Sequence, residues 1–304
     1  MTAVLETQAL GKRFRRTWAV RDCTLTIPEG AVVGLAGPNG AGKSTLLALA
    51  VGLLRPTAGE IAVLGRDPWR DGATLTDVGY VPQDAPLYRS FTVGDTLELA
   101  RRTNARWDET VGGAFLGGLR RETRVGSLTA GERSRLALAV ALGKRPALLL
   151  LDEPFARLDP LAGREFLQLL MDGVAEIEAT VVIASHVVAD IERVCDHIVL
   201  MSDGGVRLHG NVEELLAQHR LVTGARRPFG DRRIHGVEDV VRERISGRQL
   251  TLLARVDGAI ADPAWSVEPI GLEDLLLAYM EADDRERARL PQSPPEEAPL
   301  RWHG

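Results

Sequence analysis

The chain has 304 residues, 45% of them hydrophobic, and a formal net charge of -5. That length holds one sizeable core plus an appendage, and the mild acidity offers no electrostatic footprint for nucleic acid. The longest apolar runs, "STLLALAVGLL" and "PALLLLD", fall short of the roughly 18 residues of a membrane span, and "MTAVLETQALGKRF" lacks the charged-then-apolar pattern of a secretory signal, so none is expected. Cys23 and Cys195 show no metal or disulfide spacing and read as small buried residues in a reducing compartment, so a cytosolic globular protein is expected.

Near the start, "CTLTIPEGAVVGLAG" and later "GEIAVLGR" alternate and carry Pro and Gly turns, which predicts antiparallel strands. "KSTLLALAVGLL" between them has a helical pattern. Residues 84–145 carry further helical segments and no strong strand. Inside this region a helix opens at "SLTAGERSR", runs through "RLALAVAL", stops at Gly143 and cannot pass Pro146. Being apolar almost all round, it is expected to be buried against the sheet. The runs "AVVGLAG", "PALLLLDE" and "TVVIASH" suit strands covered on both faces, and they alternate with helical stretches such as "REFLQLLMDGVAEIE". The expected fold class is therefore α/β with a mostly parallel core sheet. "IVLMSDGGVRLHG" reads as two strands around an Asp-Gly turn.

After residue 220 the texture shifts. "LVTGARRPFGDRR" reads as a basic linker, "RQLTLLARV" as a strand, and "GLEDLLLAYMEA" as a helix with Leu272, Leu275, Leu276 and Tyr279 on one face. The expected division is a main domain over 1–220, a small α+β accessory region over 221–281, and a charged, Pro-rich, disordered tail over 282–304.

"GPNGAGKS", residues 37–44, has P-loop spacing and sits between a predicted strand and a predicted helix, as a phosphate cradle requires. Gly40 and Gly42 let the backbone curl its N–H groups inward. Lys43 reaches the β- and γ-phosphates, and the Ser44 hydroxyl ligates Mg²⁺. The acidic partner for that metal is Asp152, which "LLLLDE" delivers to the C-terminal edge of the sheet, where ligands bind in open α/β sheets. Glu153, next in the chain, is the candidate base that orients the attacking water.

"SLTAGERSR" admits two compatible readings. Thr129-Ala130-Gly131-Glu132 fits a helix capping box, with an N-cap hydroxyl and a carboxylate three residues on. The same helix start is suited to meet a phosphate, although no phosphate loop precedes it locally.

The ordered set "GPNGAGKST", "VPQD", "SLTAGERSR", "LLLLDEP", "RLDP" and "ASH" resembles the nucleotide-binding subunits of ATP-binding cassette (ABC) transporters over roughly residues 1–220. The resemblance implies a P-loop NTPase with an antiparallel β subdomain and an inserted helical subdomain, ATP and Mg²⁺ as ligands, and ATPase activity. Gly37, Asn39, Gly40, Ala41, Gly42, Lys43, Ser44 and Thr45 would hold the nucleotide. Thr129, Gly131 and Glu132 would meet the γ-phosphate of ATP carried by a second, facing subunit. Gln83 would sense Mg²⁺ and water, His186 would contact the γ-phosphate, and Asp159 would lie at the subunit interface. Adenine would stack on Phe14, with Trp18 the alternative. Two departures stand out: Ala130 and Glu132 alter the usual Leu-Ser-Gly-Gly-Gln signature, and Arg157 replaces the glycine usual before "LDP".

The resemblance further implies a homodimer or a pair with a paralogue, driving a separate membrane permease from the cytoplasmic face. No direct nucleic-acid partner is expected. "DAPLYRSFTV" matches the stretch beside the permease groove, and Leu87, Tyr88 and Phe91 are apolar for a loop. The region from "LDPLAGREF" to "VRLHG", together with "EPIGLEDLLLAYME", resembles drug- and antibiotic-exporter cassettes most. The alternative is a soluble ABC ATPase acting on ribosomes or nucleic acid.

Overall fold

The computed structural model describes residues 2–226 and 234–289, with backbone only beyond 282. Two compact units emerge: Met1–Gln218 with Gly271–Glu273, and His219–Ile270 with Asp274–Gly304.

In the first unit, β1 (Ala3–Phe14) and β2 (Thr17–Pro28) pair antiparallel, and β3 (Val32–Ala36) leads into α1 (Lys43–Ala50). β4 (Ala58–Val63) joins β1 to complete a three-stranded sheet in the order β2-β1-β4, the expected antiparallel β subdomain. β5 (Val78–Val81) precedes α2 (Val93–Thr103), α3 (Glu109–Ala114) and α4 (Ala130–Gly143). Then follow β6 (Leu148–Asp152), α5 (Pro160–Ile177), β7 (Thr180–Ser185), α6 (Val188–Ile191), β8 (His197–Ser202), β9 (Gly205–Asn211) and α7 (Val212–Gln218). The core sheet has the order β5-β6-β7-β3-β8-β9; only the β8–β9 pairing is antiparallel.

The apolar runs earn their places by burial on both faces. Every residue of β6 and of β7 is buried, and Leu148, Leu149, Leu150 and Leu151 have no exposed surface. Each such side chain is worth about 1.5–3 kcal/mol as an upper estimate of transfer from water. This sheet order brings the ends of β3, β6 and β7 side by side, which is what assembles the site below.

In the helical region, α4 packs on α3, α5 and β5. Its second half, from Leu136 to Gly143, is almost wholly buried, while its first turn is not. It ends at Gly143 as expected, for a different reason. The left-handed residue that turns the chain is Arg145 (φ 50°), not the glycine. Gly143 is small because the Trp107 ring lies on it: a Cβ there would stand 2.6 Å from the ring. Helix α1 is shorter than its apolar pattern, closing at Ala50 with Val51 as the C-cap.

In the second unit, β10 (His219–Ala225), β11 (Val237–Ser246), β12 (Gln249–Val256) and β13 (Trp265–Glu268) form an antiparallel sheet in the order β11-β12-β10-β13, followed by α8 (Leu272–Arg289). Val222, Leu252, Ala254 and Trp265 make its core, and Leu275 and Leu276 are buried. His219 is buried with its Nε2 3.0 Å from the Tyr279 hydroxyl. Two expectations are corrected here. Leu221–Ala225 of the supposed linker are strand, paired on both sides by β12 and β13, so the stretch satisfies its backbone in a sheet. Residues 282–289 of the supposed tail continue α8. The rest of that linker, 227–233, and of that tail, 290–304, lies outside the described residues. Among the described residues no helix is long and apolar enough to cross a membrane.

Candidate nucleotide site

The loop from Gly37 to Gly42 leaves β3 and curls into α1, and its backbone admits only glycine at the tight places. Gly42, the N-cap of α1, has φ 103°, and a Cβ there would come within 2.3 Å of the Ala19 carbonyl oxygen. Gly37 has φ 149°, with the Met201 carbonyl oxygen 2.2 Å from where its Cβ would be. No side chain caps α1, and its first turn holds no acid. The partial positive charge of that helix start is therefore left to face the loop's concave side.

A cleft of about 470 Å³ lies over this loop, lined by Phe14, Ala19, Asn39 to Thr45, Gln83, Glu153 and His186. A larger concavity of about 750 Å³ lies elsewhere, over the outer face of β1 and β4; it holds none of the predicted residues. Lys43 is buried, its Nζ donating to the carbonyls of Gly37 (2.7 Å) and Pro38 (3.2 Å) and lying 3.4 Å from Glu153 Oε1. The other oxygen of Glu153 is 2.8 Å from His186 Nδ1. Glu153 itself sits at φ 49°, a left-handed conformation uncommon for a side chain of this size, just past the end of β6. Lysine, glutamate and histidine thus form one chain of contacts across the cleft floor.

Beside them the Ser44 hydroxyl donates to Asp152 Oδ1 at 3.0 Å. Burial pushes the Asp152 carboxyl above its ordinary pKa; the Ser44 hydrogen bond acts against this, and the charge of Glu153 adds to it. A buried carboxylate whose ionisation is resisted, paired with a hydroxyl at the edge of a phosphate loop, is a hard-oxygen donor set suited to Mg²⁺, which uses few protein ligands alongside substrate phosphates. Among the described residues no group of three or more His, Cys, Asp or Glu side chains is arranged as a metal cage.

The remaining predicted residues lie apart from this cleft. Thr129 caps α4, accepting from the Glu132 N–H (3.2 Å), and Glu132 Oε2 accepts from the Thr129 N–H (2.8 Å) and hydroxyl (2.9 Å). Asp159 caps α5, accepting from Leu161 and Ala162 N–H groups at 3.0 Å. None of Thr129, Gly131, Glu132 and Asp159 lines the cleft. Of the two candidate aromatics, Phe14 lines it, 46% exposed with Lys12 over its ring; Trp18 does not, and its ring covers Gly11 instead.

The family profile described as ABC transporter matches residues 20–156. The lipopolysaccharide export system ATP-binding protein LptB of Acidithiobacillus ferridurans is 35% identical over 228 residues, 71% of this chain and 93% of LptB. The sulfate/thiosulfate import ATP-binding protein CysA of Synechococcus elongatus is 35% identical over 219 residues, 69% of this chain and 63% of CysA. Among solved structures, the dimeric MJ0796, a bacterial ABC transporter cassette, superimposes with a TM-score of 0.62 at 26% identity, over 68% of this chain and 98% of MJ0796. The chain belongs to the ABC transporter family. It is an ATPase subunit with a P-loop NTPase fold.

Within this cassette, two residues that the sequence did not single out bear on the same cleft, Asp190 through charge and Ala19 through its lining. Asp190, four residues past His186 on α6, has its carboxyl raised by burial, with the His186 charge opposing that rise and the Glu153 charge adding to it. Its signal in the sequence was only the spacing from the histidine. Ala19 enters the lining through chain contact that spacing cannot reveal. Tyr88 is exposed, with its ring 5.0 Å from that of the half-buried Phe91, while Leu87 is half-buried and lines a cavity of about 290 Å³ with Ala137 and Lys144. Cys23 and Cys195 are buried thiols; burial raises both, Cys195 to about 12.

Proposed function

We propose that two copies of the cassette, or this cassette and a paralogue, close around two MgATP and drive a separate membrane permease. The observation that carries the hydrolytic part is the contact chain Lys43–Glu153–His186 over the Ser44–Asp152 pair, in one cleft beside the P-loop. On ATP binding, Lys43 exchanges loop carbonyls and Glu153 for β- and γ-phosphate oxygens. Glu153, released from the lysine, orients water for in-line attack, and His186 is held by the same carboxylate to face the γ-phosphate. Ser44, Asp152 and Gln83 would hold Mg²⁺, whose charge, when bound, neutralises the phosphate oxygens. Phe14 supplies the exposed face on which adenine stacks.

Gly131 supports the dimeric part. Its own chain does not need a glycine there: a Cβ would find Leu158 at 3.5 Å and Ala162 at 3.9 Å, ordinary contact distances. A helical position that tolerates a side chain yet carries glycine suits close approach from outside, such as a partner's nucleotide. The direction we favour is export. The match spans 93% of the export relative and 63% of the longer import relative. Tyr88 and Phe91 would face the permease from the loop after Gln83, which keeps the cassette at the cytoplasmic face of the membrane.

The test is light scattering of Glu153→Gln with and without MgATP, alongside its Gly131→Asp derivative. We expect hydrolysis to fall about 10²–10³-fold in Glu153→Gln, with an ATP-dependent doubling of mass that the second substitution abolishes. Undiminished hydrolysis removes Glu153 from its role. A mass that stays single while ATP is demonstrably bound removes the unassisted homodimer.

A further inference from the structure

Arg157, which stands where the resembled family usually has glycine, has a partner in this chain: its Nη2 donates to Asp84 Oδ1 at 2.5 Å. The two residues belong to the loops that carry Gln83 and Glu153. β5 and β6 are parallel neighbours with Val81 opposite Leu151; Gln83 lies two residues past the first and Glu153 two past the second. Both loops turn tightly. The Ala85 N–H donates to the Pro82 carbonyl at 2.9 Å, so Gln83 and Asp84 are the two central residues of one turn. On the other side, Ala156 N–H donates to Glu153 O and Leu158 N–H to Phe155 O, which fixes Arg157 to Glu153 through two successive turns. The Arg157–Asp84 pair closes the gap between these turns above the ends of two adjacent strands.

We infer that this pair is a strap that sets Gln83 against Glu153, which makes Arg157 and Asp84 positioning residues for hydrolysis. The inference rests on the roles proposed for Gln83 and Glu153. Neither Arg157 nor Asp84 lines the nucleotide cleft, so the strap acts through the residues it positions. The pair is largely exposed, at 57% and 75%. Its coupling therefore lies in the range of surface ion pairs, which converts to a change of about 1.4- to five-fold. Among the described residues neither partner hydrogen-bonds or ion-pairs with Phe14 or the P-loop, so the effect falls on turnover and not on ATP affinity.

The experiment measures kcat and KM for ATP in Arg157→Gly, Asp84→Asn and their combination, and in the charge-reversed Asp84→Arg/Arg157→Asp. We expect each single variant to lose about three-fold in kcat with KM unchanged, the combination to lose no more, and the reversed pair to recover most of the loss. The deficit shrinks at about 1 M salt, where the screening length drops to about 3 Å. In parallel, amide exchange of residues 83–88 in the nucleotide-free protein is expected to quicken in the single variants and to slow again in the reversed pair. Loss in KM with kcat intact, or exchange in this loop that ignores the substitutions, overturns the strap. If exchange responds as expected while Glu153→Gln hydrolyses ATP normally, the assignment of Glu153 fails and takes the positioning role with it, while the tie between the two loops stands.

Discussion

Two helix starts in this chain are candidates to meet a phosphate, and they are built in opposite ways. The start of α1 is left open: a left-handed glycine at the N-cap, no capping side chain and no acid in the first turn. The start of α4 is closed on itself by Thr129 and Glu132, each satisfying the other's N–H. Each arrangement follows from what the backbone must do. At α1 the loop has to wrap, and Ala19 leaves no room for a side chain at 42. At α4 the chain enters from an extended residue, and the usual capping chemistry fits. The difference teaches that an open helix start leaves its N–H groups to a ligand, whereas a capped one has satisfied part of them within its own chain.

The largest test of that contrast is Lys43→Ala. Removing the lysine over the open start is expected to lower hydrolysis about 10²–10³-fold, as for other groups acting on transferred charge, in a phosphate-release assay. An effect below tenfold would mean that the loop N–H groups alone hold the phosphates. Gly42→Ala comes next: the left-handed φ and the Ala19 carbonyl predict a loss of about 1–3 kcal/mol in urea unfolding. An unchanged midpoint would show that the loop relaxes at no cost.

Thr129→Ala opens the capped start and is expected to cost about 1 kcal/mol of stability, read as a lower denaturant midpoint. The pH dependence sharpens this further. Hydrogen bonds from the Thr129 N–H and then its hydroxyl hold the Glu132 carboxyl below its ordinary range. The stabilisation is thus present above the ordinary glutamate value and is lost as pH falls through the lowered one. The gap between wild type and Thr129→Ala should narrow on acidification. Asp152 has the opposite sign: its raised carboxyl costs stability increasingly as pH rises from the ordinary aspartate value through the raised one. Asp152→Asn should remove that decline, and a slope that survives it assigns the decline elsewhere.

Gly131→Ala has the smallest expected effect on the isolated chain. It should leave stability unchanged or raise it by about 0.5–1 kcal/mol, because the Cβ meets only Leu158 and Ala162 at ordinary distance. It should nevertheless weaken MgATP-dependent association. A destabilised Gly131→Ala chain would mean that the glycine serves the fold itself, and the contrast with Gly42 would disappear.

The core of the fold was legible because it rests on unbroken apolar runs: "AVVGLAG", "PALLLLDE" and "TVVIASH" became β3, β6 and β7. The P-loop was legible because few backbones other than a phosphate cradle ask for that glycine spacing between a strand and a helix. Less was legible where local pattern and packing disagree. "LVTGA" read as linker beside the Arg-Arg-Pro-Phe-Gly run, yet β12 and β13 recruit it as a central strand. Gly143 read as a helix stop, yet it makes room for Trp107, 36 positions earlier, a contact with no trace in local sequence.

By itself, then, the sequence determined the parallel core, the phosphate loop and the capping box. Each is settled by residues within one short window, where backbone geometry and burial period act locally. Tertiary structure alone decided that the Trp18 ring covers Gly11, that the charges of His186 and Glu153 act on Asp190, and that Arg157 meets Asp84. These depend on which strand ends become neighbours, and the order β5-β6-β7-β3 is fixed by the packing of the whole sheet rather than by any stretch of chain.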